Sequence, residues 1–337
     1  MFLHSALDED GFTQTVSLLL SQLFDIHDTS LQLERVSGAL TNAVFFVTAS
    51  HKRMLLRVYG VGCEQILDRN KELDWLSRLS ELHIGPRLLG IFGNGRFEEY
   101  LPSTTLTCKD IRTSFISLQI ASRLHQLHSI VNTFPPEPNE PLEVWTNIDK
   151  WFAALDLALL KSKHPDWTAE IESKLDVDSL RDEIEWCKSI LMTSTSPTVF
   201  AHNDTQYGNI LKINGTEELV VIDFEYAGYN PRAMDIVNHF CEWMYDYHSQ
   251  QPAKMHVDQY PTLQEQSLFL ASYLNTQDQT QIQALQAEVD AWKMACHLFW
   301  ALWGLVQASQ SEIEFDYLSY SLQRIKAFRT ELDHHRR

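Results

Sequence analysis

The chain reads as an α+β protein in two parts: a small N-terminal lobe of antiparallel strands carrying one helix, residues 1–101, and a larger, mostly helical lobe, residues 102–337. Three observations predict this. The 337 residues exceed what one hydrophobic core usually organises. Residues 31–101 fall into short β-like runs. Beyond Pro102 the apolar spacing changes to the 3.6-residue period of amphipathic helices.

In the first part, Ala43-Val44-Phe45-Phe46-Val47 and Met54-Leu55-Leu56-Arg57-Val58-Tyr59 are strand runs on either side of a turn at Ser50-His51-Lys52. From Ile66 to Leu82 the spacing of Leu73, Leu76 and Leu79 among charges predicts a helix, ended by Gly85-Pro86. Two further runs, Leu88 to Phe92 and Phe97 to Leu101, flank the turn Gly93-Asn94-Gly95. After the crossover at Glu99 to Pro102, Ser114 to Val131 opens the helical part. Residues Phe134 to Pro141 are too proline-dense for helix or central strand and predict a surface connector. Helices resume near Val144 and again from Leu180 to Met192. Between Thr198 and Phe224 the helical pattern gives way to runs at Asn209–Ile213 and Leu219–Phe224, joined by a turn at Asn214-Gly215. From Ala233 the chain is helical once more, with a long helix centred on Ala291 to Gln307.

A composition of 44% hydrophobic and 21% charged residues is that of a folded globular chain. The net charge of -18 repels nucleic acid and acidic membrane surfaces, so neither is expected as a partner, whereas a cationic small molecule would be attracted. The five cysteines are scattered without C-x-x-C spacing, which gives neither a disulfide framework nor a zinc site. No apolar stretch reaches about 18 residues and the first ten residues lack a signal pattern. A cytoplasmic setting without membrane insertion is the expectation.

Chemistry concentrates in one segment. His202-Asn203-Asp204-Thr205-Gln206-Tyr207-Gly208-Asn209 sets an Asp five residues before an Asn, and Asp223 follows in Val220-Val221-Ile222-Asp223-Phe224. Phosphoryl transfer from ATP needs a carboxylate to orient the acceptor hydroxyl and hard oxygen ligands to hold Mg2+ on the phosphates. Asp204 suits the first task, and Asn209 and Asp223 the second. Alone, either motif could be a buried Asp capping a turn; together, on a loop and a strand end, they resemble the catalytic loop and metal-binding aspartate of protein-kinase-like phosphotransferases. In that layout Arg57 stands where protein kinases place the phosphate-binding lysine, with Glu72 on the following helix as its expected partner. Ser37, Gly38, Thr41 and Asn42 would cover the phosphates, and the backbone from Glu99 to Leu101 would meet the adenine. His202, His239 and His297 show no metal-ligand spacing and read as structural.

The segments from His202 to Asn209, from Ile222 to Asn230 and from Asp235 to Phe240, with Glu242-Trp243, closely resemble the choline/ethanolamine kinases, particularly the fungal choline kinases. The resemblance extends over about residues 31 to 330 and takes in Phe299-Trp300-Ala301-Leu302-Trp303 and Ile313-Glu314-Phe315-Asp316-Tyr317. It implies a protein-kinase-like bilobal fold, ATP and Mg2+ as cofactors, choline as acceptor with ethanolamine also accepted, and a homodimer as a family-typical assembly. A quaternary ammonium donates no hydrogen bonds and is best held by aromatic faces with a carboxylate nearby. Trp300, Trp303, Tyr247, Phe315 and Tyr320 are the candidate box and Glu242 the candidate counter-ion. The chain departs from the family at Ser103-Thr104-Thr105, where several members carry arginines. It also lacks aromatic residues over Gln250 to Gln259, which leaves room for ethanolamine. An ethanolamine-preferring or aminoglycoside-type kinase, and a non-catalytic pseudokinase scaffold, are the alternatives.

Overall fold

The computed structural model describes residues 9–27, 30–36, 42–59, 68–311 and 313–334, with Glu9 and Asn42 described by backbone only. The predicted phosphate-loop residues Ser37, Gly38 and Thr41 lie outside the described residues. The described elements, in chain order, are α1 (Glu9–Phe24), β1 (Gln32–Val36), β2 (Asn42–Ala49), β3 (Lys52–Tyr59), α2 (Arg69–Glu81), β4 (Leu88–Phe92), β5 (Gly95–Glu99) and β6 (Ser103–Thr105). Then come α3 (Ser114–His128), α4 (Glu143–Ala153), α5 (Leu157–Lys163), α6 (Thr168–Lys174), α7 (Val177–Leu191), β7 (Thr198–Ala201), β8 (Ile210–Ile213), β9 (Leu219–Val221) and β10 (Gly228–Pro231). The last four are α8 (Arg232–Glu242), α9 (Leu263–Leu274), α10 (Gln279–Gln310) and α11 (Tyr317–His334). The chain divides into two compact units, Met1–Thr104 with Ile213–Glu225, and Thr105–Lys212 with Tyr226–Arg337.

The first unit is built on an antiparallel sheet in the order β1-β2-β3-β5-β4. Its register places Arg57 of β3 directly opposite Arg96 of β5. Gly95, which starts β5, has no room for a side chain: a Cβ there would lie 2.3 Å from the Arg57 carbonyl oxygen. Val47, Leu56, Val58 and Phe97 form one apolar layer with Val16, Leu19 and Leu20 of α1. The sequence reading assigned one helix to this sheet, so α1 is an addition. It is held because Val16, Leu19 and Leu20 are buried together along one face.

Helix α2 begins at an Asp68 cap, whose carboxylate accepts from the backbone N–H of Asn70 and Lys71. It ends when His83 enters the left-handed region at φ 57, with Ile84 N–H bonding Leu79 O at 2.9 Å. The stop therefore comes two residues before the predicted Gly85. The strand expected over Leu219 to Phe224 ends at Val221, because Asp223 has φ 68 and leaves the extended region.

The second unit centres on α10, buried along most of its length from Trp292 to Ser309. Helices α4, α8, α9 and α11 pack against it. Gly304 lets α11 approach closely, since a Cβ there would collide with Ser321 Oγ. β7 and β10 form a short antiparallel pair that the sequence reading did not contain. Among the described residues no helix is long and apolar enough to cross a membrane.

Candidate active site

The segment from His202 to Asn209 leaves the end of β7 and is fixed from below by α8. Asp235, fully buried, accepts the backbone N–H of His202 at 2.7 Å and of Asn203 at 2.9 Å. His128 of α3 donates to the same carboxylate at 3.0 Å through Nε2, and its Nδ1 meets Tyr273 Oη at 2.7 Å. Burial alone would raise the pKa of Asp235, yet His128, His202 and these hydrogen bonds hold it below the usual carboxylate value. Asn203 adopts φ 67 and is clamped on both sides, donating to Tyr226 O at 2.8 Å and accepting from Asn230 Nδ2 at 2.7 Å. Strain of this kind persists only where its surroundings over-determine it. On the other flank, His239 Nδ1 donates to Thr205 O at 2.9 Å. Burial pushes the pKa of His239 down to about 4, so the ring is neutral.

Asp204 is thus presented by an anchored loop, and Asn209 closes it. The Asn209 amide nitrogen donates to the Asp204 backbone oxygen at 2.9 Å and to its carboxylate Oδ2 at 2.7 Å. Those bonds fix the amide so that Oδ1 is its remaining polar atom, a hard oxygen of the kind Mg2+ accepts. Among the described residues no three His, Cys, Asp or Glu side chains gather as a metal site. A magnesium site needs no such cluster, because one or two protein oxygens suffice when phosphates and water complete the octahedron. The Asn209 side-chain oxygen in the second unit and the Asp223 carboxylate in the first are each oxygens of that kind.

In the first unit, Asp223 Oδ2 receives Arg57 Nη1 at 3.2 Å. Arg57 is buried, and the sequence expectation that Glu72 pairs with it is corrected here. Its partners are Glu98 and Asp223, while Glu72 takes Arg96 at 2.8 Å and Arg69 at 2.8 Å. The cause is the register: Arg57 and Arg96 are cross-strand neighbours and share Glu98, at 3.2 and 2.6 Å. Glu72, reaching down from α2, meets Arg96 first. Arg69 continues the chain of charges to Glu225 at 3.6 Å. Burial would raise the pKa of Glu98, but Arg57 and Arg96 outweigh it and hold it low.

The other predicted nucleotide residues lie in the same unit. Asn42 begins β2 opposite Tyr59. Glu99 uses its backbone N–H on Arg87 O and its carboxylate on the Arg87 guanidinium, and Leu101 O accepts from Ser103 Oγ.

The predicted substrate residues come together in the second unit. Trp300 and Trp303 lie edge to face at 5.3 Å, Trp303 faces Tyr320 at 6.3 Å, and Phe315 stands 5.9 Å from Tyr320 and 6.3 Å from Tyr247. Glu242 joins them through Tyr247, whose hydroxyl donates to Oε2 at 2.6 Å. Two links tie this cluster to the loop of Asp204. Tyr226 accepts from Asn203 at its backbone oxygen and from Trp303 Nε1 at its hydroxyl, at 2.8 Å each, and Tyr247 N–H donates to Tyr207 Oη at 2.6 Å. Glu242, however, is not an uncommitted counter-ion: Arg324 Nη2 donates to its Oε1 at 3.0 Å.

The sequence reading includes Tyr226 and Asp235 only within the segments that carry the family resemblance, without a role, and does not single out His128, Arg324 or the Arg96–Glu98 pair. For the last pair a signal existed. Alternate charged residues on β5 share a face with Arg57 of β3, which marks a buried ion network once the register is known.

A family model described as choline/ethanolamine kinase matches residues 33–329. The choline kinase of Schizosaccharomyces pombe is 36% identical over 87% of this chain and 74% of that protein. The human choline/ethanolamine kinase is 34% identical over 90% of this chain and 80% of its own length. A solved structure of Plasmodium vivax ethanolamine kinase superposes with a TM-score of 0.82 at 26% identity, covering 98% of this chain and 93% of that one.

Proposed function

Because the chain belongs to the choline/ethanolamine kinase family of ATP-dependent small-molecule kinases, we propose that it transfers the γ-phosphate of ATP to the hydroxyl of choline, with ethanolamine a poorer acceptor. The product, phosphocholine, would feed phospholipid synthesis. The observation that carries this reading is the double tie, through Tyr226 and through Tyr207 to Tyr247, between the Asp204 loop and an aromatic cluster suited to a quaternary ammonium.

In the proposed mechanism Asp204, its Oδ2 held by Asn209, orients the acceptor hydroxyl and takes its proton as the new O–P bond forms and the bond from the γ-phosphorus to the ADP oxygen breaks, ADP leaving. The anchoring of His202 and Asn203 by Asp235 keeps that carboxylate in place, so positioning supplies much of the rate. Asn209 and Asp223 are the proposed ligands of Mg2+, which when bound neutralises charge on the β- and γ-phosphate oxygens. Arg57 steadies Asp223 and adds a permanent positive charge for the phosphates. Ser37, Gly38, Thr41 and Asn42 are proposed to cover them, and the backbone at Glu99 to Leu101 to receive the adenine. A reducing, cytoplasmic setting belongs to the same proposal.

The test is ADP release by the purified protein with Mg-ATP and, in turn, choline, ethanolamine and kanamycin. Choline is expected to give the highest kcat/KM, ethanolamine a lower one and kanamycin none. A preference for kanamycin, or ADP release indifferent to the acceptor, would overturn the reading.

A further inference from the structure

Taking the aromatic cluster as the acceptor site, we propose that Arg324 sets its preference for a quaternary over a primary ammonium by occupying Glu242. Arg324 lies on α11 with no exposure to solvent. Its Nη2 donates to Glu242 Oε1 at 3.0 Å and its Nη1 lies 3.2 Å from His297 Nδ1. Its guanidinium carbon sits 4.7 Å from the Tyr245 ring centre and 5.2 Å from that of Tyr320. Tyr247 supplies the hydroxyl on Glu242 Oε2 at 2.6 Å. Both oxygens of the carboxylate therefore carry partners from the chain itself, and its charge is offset by a cation that cannot move away. His297 stays neutral beside it, burial and the guanidinium together holding its pKa well below the ordinary value.

The consequence concerns hydrogen bonds. A primary ammonium entering the cluster brings three N–H donors that have lost water and need acceptors. A trimethylammonium has no N–H and is satisfied by ring faces. With one acceptor site on each Glu242 oxygen taken by Arg324 and Tyr247 and its charge offset by the guanidinium, the cluster offers a primary ammonium fewer acceptors and less negative charge than an unpaired carboxylate would. Arg324 also takes up one cation–π interaction on Tyr320, which leaves Trp300, Trp303, Tyr247 and Phe315 as the rings for the substrate. Removing the guanidinium would free one carboxylate oxygen and uncover its charge, and would turn the site toward ethanolamine.

The experiment measures kcat/KM for choline and for ethanolamine in the wild type, Arg324→Met, Arg324→Met/Glu242→Gln and Tyr247→Phe. Arg324→Met is expected to lower the choline-to-ethanolamine ratio by about tenfold, equivalent to about 1.4 kcal/mol. The double variant, with no carboxylate to accept, should return toward the wild-type ratio. Tyr247→Phe keeps the ring, frees Oε2 without removing a charge, and should shift the ratio in the same direction. An unmoved ratio in Tyr247→Phe overturns the proposal even if Arg324→Met does not fold, as does a double variant that behaves like Arg324→Met. Wild-type inactivity on both amino alcohols would remove the underlying reading, whereas choline turnover with an insensitive ratio would remove this inference alone.

Discussion

Asp223 shows how one residue can be fixed by several weak constraints at once. A positive φ lifts it off the end of β9, and Arg57 holds Oδ2 at 3.2 Å. Its side chain keeps 24% exposure, so a ligand can still reach it. An aspartate in that state can pass to a divalent ion what it shares with an arginine. Replacing it with Asn keeps the shape and removes the charge that Mg2+ needs. Asp223→Asn should lower kcat/KM at ordinary Mg2+ and recover part of it as Mg2+ is raised. A Mg2+ titration of both proteins checks this, and failure of added metal to help the variant would remove Asp223 from the ligand set. Arg57 carries the complementary lesson. It stands out in the sequence by its place at the end of the run Met54, Leu55 and Leu56 in a kinase-like layout, not by any sign that it is buried. Its partner is not legible there, because choosing between Glu72 and Glu98 requires knowing that Arg96 stands opposite.

At the scale of elements, α8 organises the second unit's chemistry. Along its eleven residues it presents Asp235 and His239 to the Asp204 loop and Glu242 to the aromatic cluster. Asn238 receives Trp300 Nε1 at 2.7 Å. Both histidine nitrogens are used, Nδ1 on Thr205 O and Nε2 as acceptor for Trp243 Nε1 at 3.4 Å. Folding therefore requires His239 neutral, and burial places its pKa at about 4. In the unfolded chain the same group titrates near its ordinary value of about 6.5. Between those values the unfolded state binds the extra proton, so stability is full above the unfolded value and declines as pH falls through the window. The slope from this one group is at most about 1.4 kcal/mol per pH unit. Asp235, held below the carboxylate range, adds its own loss only at lower pH. Urea midpoints measured from pH 7.5 to 4.5 should fall for the wild type and fall less for His239→Asn, whose amide can still donate to Thr205. Equal slopes would show that His239 is not the titrating group.

For the whole molecule, what the sequence revealed and what it hid follow from the range of the interactions. The helices and strands were legible because periodicity and turn chemistry are local, as in Leu73, Leu76 and Leu79 of α2. The terminators were less so: His83 ends α2 in a conformation more usual for glycine, and the predicted stop at Gly85 falls two residues late. α1 carries Phe12, Val16, Leu19 and Leu20 at helical spacing among threonines and serines that are weak helix formers, so its signal is local but faint. The proposed roles of Asp204, Asn209 and Asp223 rest on their spacing and its resemblance to the kinase-like catalytic loop. The support beneath them was not legible, since His128 stands more than a hundred residues of sequence from both Asp235 and Tyr273 and meets them only in the fold. The same holds for Arg324, which on α11 looks like any surface charge and yet is fully buried against Glu242.

The central claim is that this chain moves phosphate from ATP to an amino alcohol with Asp204 as the group that readies the hydroxyl. It is tested most directly by following ATP, ADP and phosphocholine by 31P NMR in wild type and Asp204→Ala, with ATP binding measured on the same preparations. Phosphocholine and ADP should rise in equal amounts with the wild type, and the rate should fall by about 100- to 10,000-fold in the variant while ATP still binds. Undiminished phosphocholine formation by Asp204→Ala, or release of inorganic phosphate in its place by the wild type, would contradict it.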